Sequence, residues 1–204
     1  KIRYYDEYVK SGEYVKSPCF THFDKVFNEL SGKTWGIAGL GSIGRRVADV
    51  AKAFGCRVVY FSASGHTYDT EFKRVSFDEL LENSDIISIH APLNDKTNNL
   101  FDDAAFAKMK KNAVLLNLGR GPIVNNAALT KALKENIIAG AGLDVIDKEP
   151  IAADNPLLEI QDSSKLIITP HIAWATYEAR VRLMDEVYEN IKAFEAGESR
   201  NAVV

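Results

Sequence analysis

Short apolar segments alternate with amphipathic segments from residue 33 to the C-terminus. This alternation predicts an α/β fold, a doubly wound parallel sheet with helices on both faces. A glycine-rich segment, Gly39 to Gly44, stands between the first apolar segment and the first amphipathic one. Its position is typical of the loop that joins the first strand and first helix of such a sheet.

Six short apolar segments are predicted as strands. They run from Thr34 to Ala38, Arg57 to Phe61, Asp85 to His90, Ala113 to Leu118, Ile138 to Val145 and Leu166 to Thr169. The third and fourth segments are continuous apolar runs, which is typical of strands that are buried on both faces.

Four segments are predicted as helices from their apolar spacing and end signals. Ser76 opens one of them, and Glu79 follows three residues later as in a capping box. The others run from Gly44 to Phe54, from Asn125 to Glu135 and from about Tyr177 to Ala196. The predicted buried face of the first consists of Val47, Val50, Ala51 and Phe54.

Residues 1–33 differ from the rest by their crowded aromatic side chains, Tyr4, Tyr5, Tyr8, Tyr14, Phe20, Phe23 and Phe27. The spacing predicts one helix, followed by an irregular stretch around Pro18. Aromatic residues are enriched in protein interfaces. The segment therefore either packs on its own domain or covers a second subunit, and both alternatives remain open.

The composition is that of an ordinary globular protein: 204 residues, 46% hydrophobic and 26% charged, with a net charge of -3. The mild acidity gives no reason to expect a nucleic acid or a membrane surface as partner. The two cysteines and four histidines show no metal-binding spacing, so no metal site is expected. The reducing cytoplasm is the expected location.

The glycine segment has the pattern GxGxxG, with glycines at Gly39, Gly41 and Gly44. The first allows a tight turn, the second lets the backbone approach a pyrophosphate, and the third lets helix and strand pack closely. The amides near Ser42 and Ile43 then point at the phosphates from the positive end of the helix dipole. The segment predicts a Rossmann-type domain that binds NAD or NADP.

The end of the second strand bears on the choice between these cofactors. An NAD site usually carries Asp or Glu there to bind the ribose 2′-hydroxyl, and Ser62 occupies that place. Loss of the carboxylate removes repulsion against a 2′-phosphate. No Arg follows at once, and the candidates to hold a phosphate are His66, Lys73 and Arg74. The sequence permits either cofactor, with a slight lean towards NAD.

Three polar residues follow later strands: Arg120, Glu149 and His171. Because ligands bind beyond the carboxyl ends of parallel strands, these residues can converge on one crevice. Arg120 can hold a substrate carboxylate in a two-pronged contact. His171 can deliver a proton near neutral pH, and Glu149 can favour its charged form and orient its ring. Together they predict reduction of a 2-oxo acid.

These motifs, in this order, resemble the D-isomer-specific 2-hydroxyacid dehydrogenases. The likeness extends from Glu29 to Val204 and is carried by Glu29 to Lys33, Gly39 to Gly44, Asp85 to Leu93, Asn117 to Gly121, Leu143 to Pro150 and Pro170 to Trp174. The resemblance implies that Arg120, Glu149 and His171 are catalytic. It also implies a small 2-oxo or 2-hydroxy acid substrate, and the last segment is most similar to the glycerate dehydrogenase (hydroxypyruvate reductase) branch.

The resemblance implies further residues on the cofactor side. Asp144 is expected near the nicotinamide amide, and His90 beside the cofactor rather than as the acid. The rest of the cofactor set beyond the glycine loop and Ser62 consists of Ala91, Pro92, Thr97, Leu118, Gly119 and Ala173.

Members of this family begin with a substrate domain, whereas here the dinucleotide domain starts almost at once. We therefore expect a connecting helix and aromatic arm at 1–33, the dinucleotide-binding domain at 34–176, and a closing helix and tail at 177–204. Because half of the substrate pocket would then be missing, we expect this chain alone to bind cofactor but to be inactive or nearly so. A homodimer through this domain is also expected.

Three other functions share the fold or the loop. A formate-type dehydrogenase is expected to carry Gln where Glu149 stands, since formate oxidation moves no proton. A nucleotide-sensing, corepressor-like binding module can keep the same three polar residues, so it stays open. A methyltransferase is disfavoured by the combination of Arg120, Glu149 and His171.

Overall fold

The computed structural model describes residues 1–202 and contains one sheet of seven strands. The strands are β1 (Thr34–Ala38), β2 (Arg57–Phe61), β3 (Lys73–Arg74), β4 (Ile86–Ile89), β5 (Val114–Asn117), β6 (Gly140–Leu143) and β7 (Leu166–Ile168). The helices are α1 (Ile2–Lys10), α2 (Ser42–Ala53), α3 (Phe77–Asn83), α4 (Asp103–Lys108), α5 (Asn126–Lys134) and α6 (Tyr177–Glu195). Short 3-10 turns cover Glu13–Lys16, Gly121–Ile123 and Pro156–Glu159.

All strand pairs are parallel, and the strand order is β3-β2-β1-β4-β5-β6-β7. The chain therefore builds the sheet outwards from β1 in one direction, returns to β4, and builds outwards in the other. The point between β1 and β4 is where ligands bind in doubly wound sheets. The predicted fold class is confirmed, and the glycine loop follows β1 at this point.

Helices cover both faces of the sheet. On one face α3, α4 and α5 pack over the main core, with Leu80, Phe106 and Leu129 fully or almost fully buried. On the other face α2 packs over β1 and β2, where Ile37 and Tyr60 are buried.

The α2 side of β4 to β7 is less covered. Half-buried Val114 and Leu116 and exposed Ile167 line a cavity of about 1040 Å³ there, together with residues 1–4, 6 and 26–30. The expected burial on both faces therefore holds for most of β4, where Ser88 is buried on this side. It fails for β5, where Val114 and Leu116 are only half-buried. The apolar pattern records that a strand lies inside a sheet, but not which layer covers it.

Helix α2 begins at Ser42, because Gly41 is its N-cap, and not at Gly44 as predicted. Its buried residues are Gly44, Ala48 and Ala51. The prediction placed Val50 and Phe54 on that face, and both are exposed. The small buried side chains let the helix lie close to the sheet, which leaves the larger ones outside.

Two elements are missed by the prediction, β3 and α4. Strand β3 consists of two charged residues, so it has no apolar pattern that predicts a strand. It is a strand because it pairs with β2. Helix α4 is six residues long and is capped by Asp102, whose side chain accepts a hydrogen bond from the Ala105 amide.

The N-terminal segment folds on itself. Helix α1 and the irregular stretch around Pro18 are confirmed. The ring of Tyr8 stacks on His22 with centroids 3.8 Å apart, and the hydroxyl of Tyr4 lies 2.9 Å from His22 Nε2. Phe20 and Phe23 remain exposed, so only part of the aromatic cluster is used within the segment.

The described chain forms two compact units, Lys1–Ile168 and Thr169–Val204. The predicted boundaries at 33 and 176 differ from this division, which includes the arm in the first unit. Helix α6 belongs to the second unit and begins at Tyr177, after the N-cap Thr176, whose hydroxyl accepts a hydrogen bond from the Ala179 amide. Residues 203–204 of the predicted tail lie outside the described residues. Among residues 1–202, no helix is long and apolar enough to span a membrane.

Candidate cofactor and active site

The three glycines of the loop have different surroundings. Gly39 has φ +99°, and a Cβ there would lie 2.7 Å from the backbone nitrogen of Ala91. A Cβ on Gly44 would lie 2.1 Å from the carbonyl oxygen of Gly39. A Cβ on Gly41 would meet nothing within 4 Å. The first and third glycines are therefore required by packing, and the second faces open space.

The N-terminus of α2 lies directly after this open position. No side chain of the described residues caps it, and its first turn carries no acidic residue. Ser42 and Ile43 are exposed there. The amides of a helix N-terminus favour a negatively charged ligand, so this end of α2 has the chemistry needed to hold a phosphate.

Ser62 is buried where β2 ends, and its Oγ lies 3.2 Å from the Oγ of Ser64. The amide of Gly39 donates to the carbonyl oxygen of the neighbouring Phe61 at 3.0 Å. This bond holds the end of β2 beside the glycine loop. The structure thus brings Ser62 to the position at which this type of fold binds a ribose.

His90 directly follows β4, and β1 lies between it and Ser62 in the sheet. Its Nε2 lies 3.1 Å from the Oγ of Ser88, which also accepts a hydrogen bond from the indole nitrogen of Trp35 at 2.9 Å. Its Nδ1 is buried and has no hydrogen-bond partner among the described residues. Burial lowers the pKa of His90 from 6.5 to about 4, so its ring is neutral at neutral pH.

Residues 91–97 continue from His90. Ala91 is buried and Pro92 is exposed. Thr97 is fully buried, and its hydroxyl donates to the carbonyl oxygen of Pro92 at 2.7 Å and accepts from the amide of Asn94 at 2.9 Å. The expectation that Thr97 lines the cleft needs correction, because its side chain holds the loop from inside.

Arg120 follows β5 in a turn that Asn117 holds. The buried side chain of Asn117 accepts a hydrogen bond from the amide of Gly119 and donates to the carbonyl oxygen of Arg120, both at 3.1 Å. Leu118 and Arg120 are exposed. The guanidinium donates to the carbonyl oxygen of Gly119 at 2.8 Å. This turn presents Arg120 at the carboxyl end of the sheet.

The loop after β6 lies against the Arg120 turn. A Cβ on Gly121 would lie 1.7 Å from the carbonyl oxygen of Ile146, so the two loops are in backbone contact. Glu149 Oε1 accepts a hydrogen bond from the amide of Ile146 at 3.0 Å. The amide of buried Asp144 donates to the carbonyl oxygen of Asn117 at 3.0 Å. The structure therefore brings the loops that carry Arg120, Asp144 and Glu149 together.

His171 and Ala173 belong to the second compact unit. Both are exposed, and the amide of His171 donates to the carbonyl oxygen of Thr169 at 3.0 Å. His171 has φ +54°, an uncommon value for a residue with a side chain. The turn between β7 and α6 holds it in this conformation.

No cluster of three or more His, Cys, Asp or Glu side chains suited to a metal ion occurs within residues 1–202. The groups described above are of two kinds, backbone amides suited to an anion and polar side chains that follow the strands.

Residues 1–173 match the family model described as D-isomer specific 2-hydroxyacid dehydrogenase, NAD binding domain. The chain belongs to this family. It is 38% identical over 199 residues to a glycerate dehydrogenase from Methylorubrum extorquens, covering 98% of this chain and 62% of the relative.

Two solved structures are similar to this D-2-hydroxyacid dehydrogenase domain. One is an acyclic imino acid reductase in complex with NADPH and D-Arg, at 33% identity and a TM-score of 0.82, covering 97% of this chain and 62% of that one. The other is a D-lactate dehydrogenase from Aquifex aeolicus complexed with NAD and lactic acid, at 32% identity and a TM-score of 0.80, covering 93% and 61%. The chain thus spans about three-fifths of the length of each relative.

Sequence reasoning about this dehydrogenase domain missed the residues that support the site. Trp35 and Ser88 hold His90, and they are 53 positions apart along the chain. Asp147 orders the loop after β6 by accepting hydrogen bonds from the side chains of Asn126 and Asn155. No local motif marks these partners. The Asn-Leu-Gly-Arg segment does indicate the role of Asn117, since a side-chain amide at the end of a strand is suited to hold the turn that follows.

Proposed function

We propose that this chain binds a nicotinamide dinucleotide at the switch point between β1 and β4. We further propose that it forms the cofactor half of an enzyme that reversibly reduces a small 2-oxo acid to a D-2-hydroxy acid, with hydroxypyruvate as the favoured substrate. The observation that carries the proposal is the glycine loop, where Gly39 and Gly44 pack tightly and Gly41 faces open space at an uncapped helix N-terminus. This is the arrangement that admits a pyrophosphate.

A reduced nicotinamide bound at this site would supply the hydride needed at the carbonyl carbon of the substrate. Arg120 binds the substrate carboxylate through its planar guanidinium. His171, in its charged form, donates a proton to the carbonyl oxygen as negative charge develops there. Glu149 stabilises the imidazolium and fixes which nitrogen faces the substrate. In the reverse direction the neutral His171 accepts the hydroxyl proton.

The geometry within the first unit supports this assignment of roles. Backbone contact between Gly121 and Ile146 joins the Arg120 turn to the loop that carries Glu149. The lowered pKa of His90 makes it a poor proton donor at neutral pH, which favours His171 for that step. The ligands of the two similar structures, NADPH with D-Arg and NAD with lactic acid, support a dinucleotide beside a small carboxylic acid.

Titration with NADH and NADPH tests the binding half of this proposal, with Trp35 fluorescence and calorimetry as readouts. Binding of either is expected, and binding of neither would overturn the site. Turnover is expected to be poor for this chain alone, because the relatives are longer. Steady turnover at about 1–1000 per second, the usual range for enzymes, would refute this second expectation.

The catalytic half is tested by fusing the chain to the part of the glycerate dehydrogenase relative that it does not cover. Reduction of hydroxypyruvate by the fusion, lost in the His171→Gln variant but with cofactor binding retained, would support the dehydrogenase. Cofactor binding with no turnover of hydroxypyruvate, glyoxylate or pyruvate would favour a nucleotide-sensing module instead.

We also propose that the chain forms a homodimer through the N-terminal segment. Phe20, Phe23 and Phe27 are 89%, 80% and 71% exposed, an unusual amount of aromatic surface for one short segment. Sedimentation velocity is expected to show a dimer that dissociates in the Phe23→Ser variant. A monomer at high concentration would contradict the proposal.

A further inference from the structure

The loop after β2, residues 62–68, carries hydroxyl groups where a ribose-binding carboxylate usually stands. Ser62 Oγ and Ser64 Oγ lie 3.2 Å apart. The amide of Gly65 donates to the carbonyl oxygen of Ser62 at 3.1 Å, which closes a tight turn. The end of β2 is bonded to the glycine loop through Gly39. This turn therefore lies on the side of the glycine loop at which the adenosine ribose of a dinucleotide is held.

Arg74 reaches this loop from β3. Its Nη1 donates to the Oγ1 of Thr67 at 2.9 Å. Its Nη2 lies 3.9 Å from the position that a Cβ on Gly65 would occupy. A guanidinium carries five N–H donors, so the bond to Thr67 leaves capacity for a bidentate contact with a phosphate. Arg74 and the two serine hydroxyls thus lie at the same turn.

Lys73, the neighbouring basic residue, faces the other way. The pairing of β2 with β3 sets Lys73 opposite Val59 and Arg74 opposite Tyr60. Successive side chains of a strand point to opposite faces. Lys73 accordingly lines a separate surface pocket with Thr34, Glu79 and Lys110, whereas Tyr60 belongs to the core beneath α2.

The α2 side of the loop is also basic. The guanidinium carbon of Arg45, in the first turns of α2, lies 4.9 Å from the ring centroid of Tyr68. The ring of His66 meets Tyr68 edge-on at 4.5 Å. Glu71, a carboxylate nearby in sequence, is paired with Lys52. Arg45 thus places a second guanidinium beside the loop, and Asp69 is the exposed carboxylate that follows it in the chain.

We propose that Ser62, Ser64 and Arg74 bind the 2′-phosphate of NADPH, so that this chain prefers NADPH to NADH. The inference rests on the proposed dinucleotide binding. The serine hydroxyls donate to phosphate oxygens that a carboxylate would repel, and Arg74 supplies the opposite charge and the planar donors.

Calorimetric titration of the 204-residue chain and its variants with NADPH and NADH tests this assignment. The unaltered chain is expected to bind NADPH at least about tenfold more tightly, a factor typical of one charge-assisted contact. Arg74→Gln is expected to remove most of that preference by weakening NADPH and to change NADH affinity less than about twofold. Lys73→Gln removes the same charge from the same strand and is expected to leave both affinities unchanged.

Two further measurements separate the outcomes. Ser62→Asp is expected to invert the preference, because the carboxylate repels the phosphate and accepts from the ribose hydroxyls. Raising the salt concentration is expected to weaken NADPH more than NADH in the unaltered chain. Circular dichroism of each variant reports whether it is folded. Arg74→Lys is the second variant at this position, and it keeps the charge but not the bidentate geometry.

The results that overturn the proposal differ from those that overturn dinucleotide binding. NADH binding as tight as NADPH binding, or an equal effect of Arg74→Gln on both, would refute the 2′-phosphate site while leaving the glycine loop functional. Binding of neither cofactor, with 2′,5′-ADP also failing to bind, would refute both.

Discussion

Alanine substitutions at Gly41 and Gly44 are expected to separate the folding role of the glycine loop from its binding role. The two residues are three positions apart in one motif, but their surroundings differ. A Cβ at Gly44 would lie 2.1 Å from the carbonyl oxygen of Gly39, which is backbone and cannot rotate away. At Gly41 a Cβ would meet nothing within 4 Å, and its φ of -73° suits any residue.

The magnitudes follow from these distances. In Gly44→Ala, the new Cβ and the carbonyl oxygen of Gly39 must move apart by more than 1 Å to reach a normal contact of about 3.4 Å. Overpacking of this kind costs about 1–3 kcal/mol or more. We expect a loss of at least about 2 kcal/mol, which lowers Tm by about 4–8 °C for a chain of this size. Gly41→Ala is expected to change stability by less than about 0.5 kcal/mol.

Cofactor affinity is expected to respond specifically to the substitution at Gly41, which leaves the stability of the fold almost unchanged. The methyl group of Gly41→Ala occupies the space through which a pyrophosphate approaches the α2 amides. Loss of one hydrogen bond to a charged group corresponds to about 1.5–3 kcal/mol, or about 10- to 150-fold in Kd. Thermal unfolding and calorimetric titration measure the two effects. Wild-type cofactor affinity in a fully folded Gly41→Ala variant would refute the assignment of this space to the ligand.

Two further predictions concern buried polar groups near the site. Burial lowers the pKa of His90 from 6.5 to about 4, so the unfolded chain binds a proton in that window before the folded one does. Stability is therefore fully present above pH 6.5 and is lost as the pH falls towards 4. With allowance for partial exposure, the free energy of unfolding falls by about 2 kcal/mol over this range. Urea unfolding at several pH values should show a weaker dependence of this free energy on pH for His90→Gln. Asn117→Ala leaves the amide of Gly119 and the carbonyl of Arg120 without their partner, which we expect to cost about 2 kcal/mol of stability. Asn112→Ala is the exposed control. Equal Tm values for the Asn117→Ala and Asn112→Ala variants would contradict the argument.

The sheet could be predicted because its central strands are short apolar runs separated by helices. Strands β1, β2, β4 and β5 all lie within or close to the predicted segments. The bounds of β1 and β2 are those predicted, whereas β4 and β5 are each shorter than predicted by one residue at both ends. Strand β6 is shorter still, Gly140–Leu143 against Ile138 to Val145, because buried Ile138 and Val145 contribute apolar pattern from the adjoining loops.

The site could be predicted only where its residues belong to local motifs. The glycine loop defines its own turn, so Gly39, Gly41 and Gly44 are recognisable without the rest of the fold. Thr97 belongs to a recognisable segment too, yet its burial depends on bonds to Pro92 and Asn94 that the motif does not reveal. The supporting network of His90 depends on partners from β1, which become neighbours only when the sheet forms.

Arg74 shows why cofactor choice was harder to predict than cofactor binding. In a two-residue strand, a shift of pairing by one position would exchange the faces of Lys73 and Arg74. Their own side chains do not fix the pairing. The next residue does, because the Val75 amide donates to the carbonyl oxygen of Tyr60 at 2.9 Å and its side chain packs against the main core. Since residues 73 and 75 of an extended chain point the same way, burial of Val75 directs Lys73 towards the α3 side and Arg74 towards the loop after β2. An apolar contact outside the site thereby determines which basic residue can reach a 2′-phosphate.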